Sequence, residues 1–195
     1  MFAQDALELH IRALWCLPHQ NVPPPSVTED DQKAYASCFT SEDQVRTSVY
    51  NSLNNNSGHI AAAADCLTSL KANFSPNSKI SANLAQIPEP LLYAFQVIAS
   101  FGLPRWAPDV LSQSMYNLLH EYIVLNTFEQ VAAGYGYLHM GINLTVVRDF
   151  ALMRKFYRNF VFSYLPNLAK MEAKRPGAVE MSHERENAVK HRNKA

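Results

Sequence analysis

Glycine is scarce in this 195-residue sequence, with 6 positions, about 3% against the ~7% of average proteins. A fold of short strands joined by tight turns needs more, so an all-β architecture is disfavoured. Charge is scarce as well. Asp, Glu, Lys and Arg make up 17% of the chain, below the ~25% of an ordinary soluble domain. The 17 cations balance the 17 anions, so the net charge points to no partner class. The three cysteines, Cys16, Cys38 and Cys66, stand far apart. An odd, widely spaced set is no disulfide framework, and without a CxxC pair it is no structural zinc site. Such thiols suit buried positions in a reducing compartment, so the expected location is intracellular, whether cytoplasmic or organellar.

Long apolar runs are missing too. The longest lies between Glu89 and Arg105, spans 15 residues and contains Pro90, Gly102 and Pro104. A membrane-crossing helix needs about 20. Residues 1–17 carry Asp5, Glu8 and Arg12 and lack the apolar centre of a secretory signal. Motifs that carry chemistry are equally sparse. The glycines of GYGYLHMG (134–141) match neither GxGxxG nor GxxxxGK[ST], and HExxH and GxSxG do not occur. No two of the seven histidines stand three or four apart, so neither a metal nor a cofactor is expected. His120 beside Glu121 has the makings of a general base, but within a weakly charged helix a hydrogen-bonded structural histidine is the better reading. His139, beside Tyr135 and Tyr137, has the position to line a pocket. The expectation is that the protein is not an enzyme.

Helical periodicity is what the sequence does contain. Leu7, Ile11 and Leu14 recur at three- and four-residue steps before Pro18. Pro23, Pro24 and Pro25 favour an extended connector. Thr28-Glu29-Asp30-Asp31 reads as a capped helix start running to about Phe39, and Ser41-x-x-Gln44 as a capping box. Val45, Val49 and Leu53 mark the next helix, and Ile60 to Phe74 another. A short helix over 80–87 precedes one carrying Leu91, Phe95 and Ile98, which Gly102 caps. Pro108 starts a helix with Leu111, Met115, Leu118, Tyr122 and Leu125 on one side. A long amphipathic helix over 144–164 follows, capped by Asn143 or Thr145 and ended or kinked by Pro166. The expected fold is all-α, an irregular bundle of about seven or eight helices with a charged helical C-terminal extension. Residues 1–27 form an N-terminal helix and connector, 28–165 the helical core, and 166–195 the basic extension.

The balanced total hides an asymmetry. Residues 1–97 hold 5 cations and 9 anions, and residues 98–195 hold 12 and 8. Between Pro90 and Val147 only Arg105, Asp109, Glu121 and Glu129 are charged. Helices with so little charge are enclosed on several sides, either by their own domain or by a partner. Interface centres are poor in charge and rich in aromatic residues and Met, which favours a partner. Tyr93, Phe95, Phe101, Met115, Tyr116, Tyr122 and Phe128 are the expected docking residues. Arg148, Arg154, Lys155 and Arg158 fall within about 120° on one helix and form a candidate contact for an anion or nucleic acid.

The stretch from Phe101 to Leu165, about a third of the chain, resembles the core of coat proteins from flexuous filamentous plant viruses. The resembling pieces are Gly102-Leu103-Pro104, Gly141-Ile142 and Met153-Arg154-Lys155-Phe156-Tyr157-Arg158. The resemblance implies an arginine of the last piece facing RNA, which nominates Arg154 or Arg158. The aromatic–Asp motif that follows in that family has no counterpart over 166–195. The expected function is a non-catalytic structural or interaction subunit of a larger protein assembly, docking through its low-charge central helices onto other protein subunits. The alternatives are an RNA-binding coat or nucleoprotein-like protein using the basic stripe, and a helical enzyme with a dispersed site.

Overall fold

The computed structural model describes residues 2–17, 27–36, 38–54, 58–73, 82–83, 88–102, 114–178 and 181–182. The triple proline, the start at Pro108, most of the helix expected over 80–87 and the end of the C-terminal extension lie outside these residues. Among the described residues the architecture is an all-α multi-helix bundle. Its helices are α1 (Phe2–Leu14), α2 (Glu29–Ala36), α3 (Glu42–Asn54), α4 (Ile60–Asn73), α5 (Pro88–Ser100), α6 (Met115–Ala133), α7 (Leu144–Val147), α8 (Phe150–Asn159) and α9 (Leu165–Lys174). None is long and apolar enough to cross a membrane.

Caps written in the sequence set the boundaries. The Thr28 hydroxyl accepts from the Asp31 amide at 3.2 Å while the Thr28 amide donates to the Asp31 carboxylate at 3.3 Å, which is a reciprocal capping box opening α2. Ser114 opens α6 by accepting from the Asn117 amide. Asn143 opens α7 by accepting from the Thr145 amide.

The long helix expected over 144–164 is divided. Asp149 leaves helical geometry and caps α8 by accepting from the Leu152 amide. A side chain that satisfies an orphan amide makes that break affordable. The C-terminal half then continues past Pro166 instead of stopping there. Proline inside a helix lacks an amide, crowds the carbonyl four residues back and costs ~3 kcal/mol or more. Here residues Phe160–Tyr164 widen into a π-helix, in which the Leu165 amide reaches back to the Phe160 carbonyl. The wider turn carries the chain into α9 without a stop.

Helix α6 is the axis of the bundle. It packs against α1, α2, α3, α5, α7 and α8. Tyr116, Leu119, Ile123, Val124, Leu125, Phe128 and Val131 are all buried, so α6 is apolar around its circumference rather than along one side. This is why the middle of the sequence carries so little charge. α1 belongs to the same core through Leu7, Ile11 and Leu14, and α9 joins it through Leu165 and Leu168.

Two histidines lie inside this core. His10 is wholly buried on α1, with Nδ1 2.6 Å from the Tyr137 hydroxyl and Nε2 2.9 Å from Thr127 Oγ1. Thr127 Oγ1 also lies 2.7 Å from the Ile123 carbonyl, which can only accept. The threonine proton goes there, so His10 Nε2–H donates to Thr127 and Nδ1 accepts from Tyr137. His120 is buried edge-on to Tyr116, with ring centroids 4.5 Å apart, and to Trp15 at 6.5 Å. Burial lowers both imidazoles from the ordinary 6.5 to about 3.

The unfolded chain therefore binds protons that the folded chain refuses between those two values. Stability is fully present above about pH 6.5 and falls on acidification through the window, by about 1.4 kcal/mol per pH unit for each histidine. Urea titrations are expected to show stability falling steadily as the pH drops from about 6 to ~4.5, and His10→Gln lessens that fall by about half. A pH-independent unfolding free energy over this range contradicts the assignment.

Candidate functional site

Two features outside the apolar core have the geometry to do chemistry or recognition. The first gathers charged side chains from three helices. Glu121, near the middle of α6, has a side chain only 2% exposed. Arg154 and Arg158 stand one turn apart on α8, and both reach it. Arg154 Nε donates to Glu121 Oε1. Arg158 Nε donates to Oε2 at 2.8 Å, and its Nη2 to Oε1 at 3.3 Å. Arg154 Nη2 also donates to Glu42 Oε1 on α3 at 2.9 Å, and the Tyr122 hydroxyl donates to the same oxygen at 2.7 Å. The Arg154 guanidinium lies over the Tyr122 ring at 5.7 Å, and that ring stacks on Phe150 at 5.6 Å.

This network has two anions, two cations and no net charge. Burial by itself lowers the Arg154 pKa, but Glu121 and Glu42 outweigh it and hold the group above its ordinary value. The Tyr122 hydroxyl, followed by Arg154, holds the Glu42 carboxyl below the ordinary carboxylate range despite partial desolvation.

The stripe expected on one helix is therefore neither continuous nor free. Arg148 ends α7, on the far side of the Asp149 break, so it does not share the helical arc of the other three. Arg154 and Arg158 both pair with Glu121, Arg158 while its side chain stays about half exposed. Arg148 and Lys155 are exposed.

The expected docking residues are also repositioned. Phe95, Tyr116, Tyr122 and Phe128 are buried in the chain's own core, so they present no surface to a partner. Tyr93, Phe101 and Met115 are partly buried and packed against that core. The Tyr93 hydroxyl donates to the Leu53 carbonyl at 3.3 Å. The low charge of the middle region reflects intramolecular enclosure by α1, α2, α3, α5, α7 and α8.

The second feature is a cleft of about 580 Å3 between the start of α1 and the π-helix. α1 contributes Phe2, Asp5, Glu8, Leu9 and Arg12, while the other side holds His139, Met140, Asn159, Phe160 and Tyr164. His139 lines this cleft, whereas Tyr137 turns inward to His10. The Arg12 guanidinium is buried over the Phe160 ring at 5.1 Å, and Phe160 stacks on Tyr164 at 5.5 Å. Gln4 Nε2 donates to Glu8 at 3.0 Å. Burial lifts the Glu8 carboxyl above its ordinary range against the opposing pull of Gln4 and Arg12.

The sequence alone does not assemble this cleft, because its two main walls, ending at Arg12 and beginning at His139, lie 127 residues apart in the chain. Asp5 and Glu8 at an i, i+3 spacing were its one local signal. Among the described residues no three of His, Cys, Asp and Glu stand close enough to hold a metal ion. No family model, curated protein or solved structure matches this chain.

A buried carboxylate held by two guanidiniums makes a definite thermodynamic statement. Removing one partner leaves uncompensated charge and costs about 3–5 kcal/mol, whereas replacing the whole set with apolar groups is near neutral. Arg154→Met with Arg158→Met strands the buried Glu121 carboxylate and is expected to lose about 3 kcal/mol or more, while adding Glu121→Leu to that pair regains most of it. Urea midpoints of the two variants check this, and equal losses in both refute the network's energetic role.

Proposed function

We propose that this chain is a non-catalytic interaction subunit of a larger protein assembly, and that it meets its partner through the surface around the α1 cleft. Tyr135 is the observation that carries this reading. It closes the C-terminus of α6 in the left-handed region, with φ 63°, where its amide bonds the Ala132 carbonyl and the next amide reaches Val131. Glycine occupies that position in most helices that end this way. In this chain glycines flank it on both sides, and the strained place goes to an aromatic ring that is 71% exposed.

A left-handed non-glycine residue costs about 1–2 kcal/mol, and folding gains little from a ring left in water. Retained strain of this kind is expected at contact sites, and Tyr is enriched at interfaces. The same turn carries Leu138, 68% exposed, and supplies His139 and Met140 to the cleft. Phe2, on the opposite wall, is 62% exposed. The docking role thus moves from the central helices to the end of α6 and the start of α1. An RNA-coating role rests on Arg148 and Lys155, since the charges of Arg154 and Arg158 are already matched by Glu121 and Glu42.

Sedimentation separates these readings. Tagged chain in cell extract is expected to run well above the size of purified chain. Tyr135→Gly with Leu138→Ser should bring it back to the isolated size. Tyr135→Gly alone is expected to raise Tm by about 2–4 °C, so loss of the assembly does not reflect unfolding. Identical sizes in extract and buffer overturn the proposal. Loss of the assembly on ribonuclease treatment or in Arg148→Glu/Lys155→Glu, with Tyr135→Gly/Leu138→Ser unaffected, assigns the RNA role instead. Arg154→Glu and Arg158→Glu are poor probes of RNA, because each sets a second anion against buried Glu121.

A further inference from the structure

We infer that the cleft between α1 and the π-helix receives a lysine or arginine side chain carried on an apolar segment of the partner protein. The inference rests on reading the chain as an interaction subunit and states what its cleft selects. At about 580 Å3 the cleft falls within the ~300–1,000 Å3 of sites that enclose a ligand group. Its α1 wall presents Asp5 and Glu8, one turn apart. Among the described residues Arg12 is the single Lys or Arg lining it, and that guanidinium is buried against Phe160. The open part of the cleft is therefore anionic.

Apolar patches lie among its polar lining. Leu9, Met140 and Phe160 form them, while Phe2 and Tyr164 line the cleft and remain exposed. A long cationic side chain matches this division, with its stem on the apolar patches and its head beside carboxylates. The exposed Tyr164 ring adds a face on which a cation is favoured. An acidic group entering here meets two like charges. A wholly apolar one removes water from Asp5 and Glu8 and returns no counter-charge. Burial already lifts the Glu8 carboxyl, and a cation beside it reverses that.

Fluorescence anisotropy of full-length chain with a short labelled helical peptide of Leu and Ala, with a single Lys in its Leu face, tests the inference. Comparison peptides carry Glu or norleucine in place of that Lys. The Lys peptide is expected to bind about ten-fold or more tighter than either comparison. Asp5→Asn/Glu8→Gln should erase the preference with the circular dichroism spectrum unchanged. Asp5 is exposed, so Asp5→Lys supplies a second variant should the double one unfold. Equal binding of the three peptides, or a preference that survives both variants, overturns the inference. Spermine binding the cleft as tightly as the Lys peptide overturns it in favour of a free polycation. Mass that grows with concentration of the purified chain, and that Asp5→Asn/Glu8→Gln abolishes, overturns it in favour of a second copy. An assembly in extract that survives Asp5→Asn/Glu8→Gln but not Tyr135→Gly/Leu138→Ser leaves the interaction reading standing and refutes the cation-selective cleft.

Discussion

A carboxylate taken out of water has to be answered, and much of this structure is organised around the answer given to Glu121. Helix α6 is enclosed by six other helices, and Glu121 lies near its centre. An isolated ion there is costly enough to be neutralised or expelled. Arg154 and Arg158 prevent both outcomes, and in doing so they fix the rotation and height of α8 against α6. Arg154 extends the pairing to Glu42 and so ties α3 to the same point. Because apolar packing is non-directional, a central helix that is greasy on all sides has little to set its register. The ion network supplies direction where the apolar contacts do not.

The same bundle is open at one end. The α1 start and the π-helix leave a cleft between them, and the turn after α6 projects Tyr135 and Leu138 outward. Two of these features place groups where folding alone has little use for them: an aromatic ring at positive φ and a carboxylate on a partly desolvated wall. Inside the core His10 finds Thr127 and Tyr137 and Glu121 finds two cations, although Trp15 Nε1 and Tyr157 Oη have no hydrogen-bond partner among the described residues. The strained and exposed ring of Tyr135, on the turn that supplies His139 and Met140 to the cleft, is the basis for the proposal that recognition lies there.

Much of the fold was legible in the sequence because helices announce themselves locally. Thr28 to Asp31, Ser41 with Gln44, and Asn143 each satisfy amides within a few residues of themselves. The division of the helix over 144–164 was less legible. Asp149 is a helix cap only when the chain leaves helical geometry there, and nothing adjacent to it demands that. The passage through Pro166 was equally hidden, since a proline forbids the regular hydrogen bond without saying whether the chain stops or widens. The site was hardest of all. The basic residues were visible, but whether Arg154 faces water or Glu121 depends on a contact 33 residues away. The cleft was visible only in fragments, Asp5 with Glu8 at one end of the sequence and His139 towards the other.

What the sequence determined by itself was class and periodicity: an all-α chain, its principal helices, and a middle region too poor in charge to be solvated on every side. What only the tertiary structure decided was which surface does the covering. Scarcity of charge is satisfied equally by a partner or by the chain's own helices, because burial is indifferent to where the apolar neighbour comes from. Packing chose the chain's own helices, paired Arg154 and Arg158 with buried Glu121, and left Phe2, Tyr135 and Leu138 exposed around the cleft.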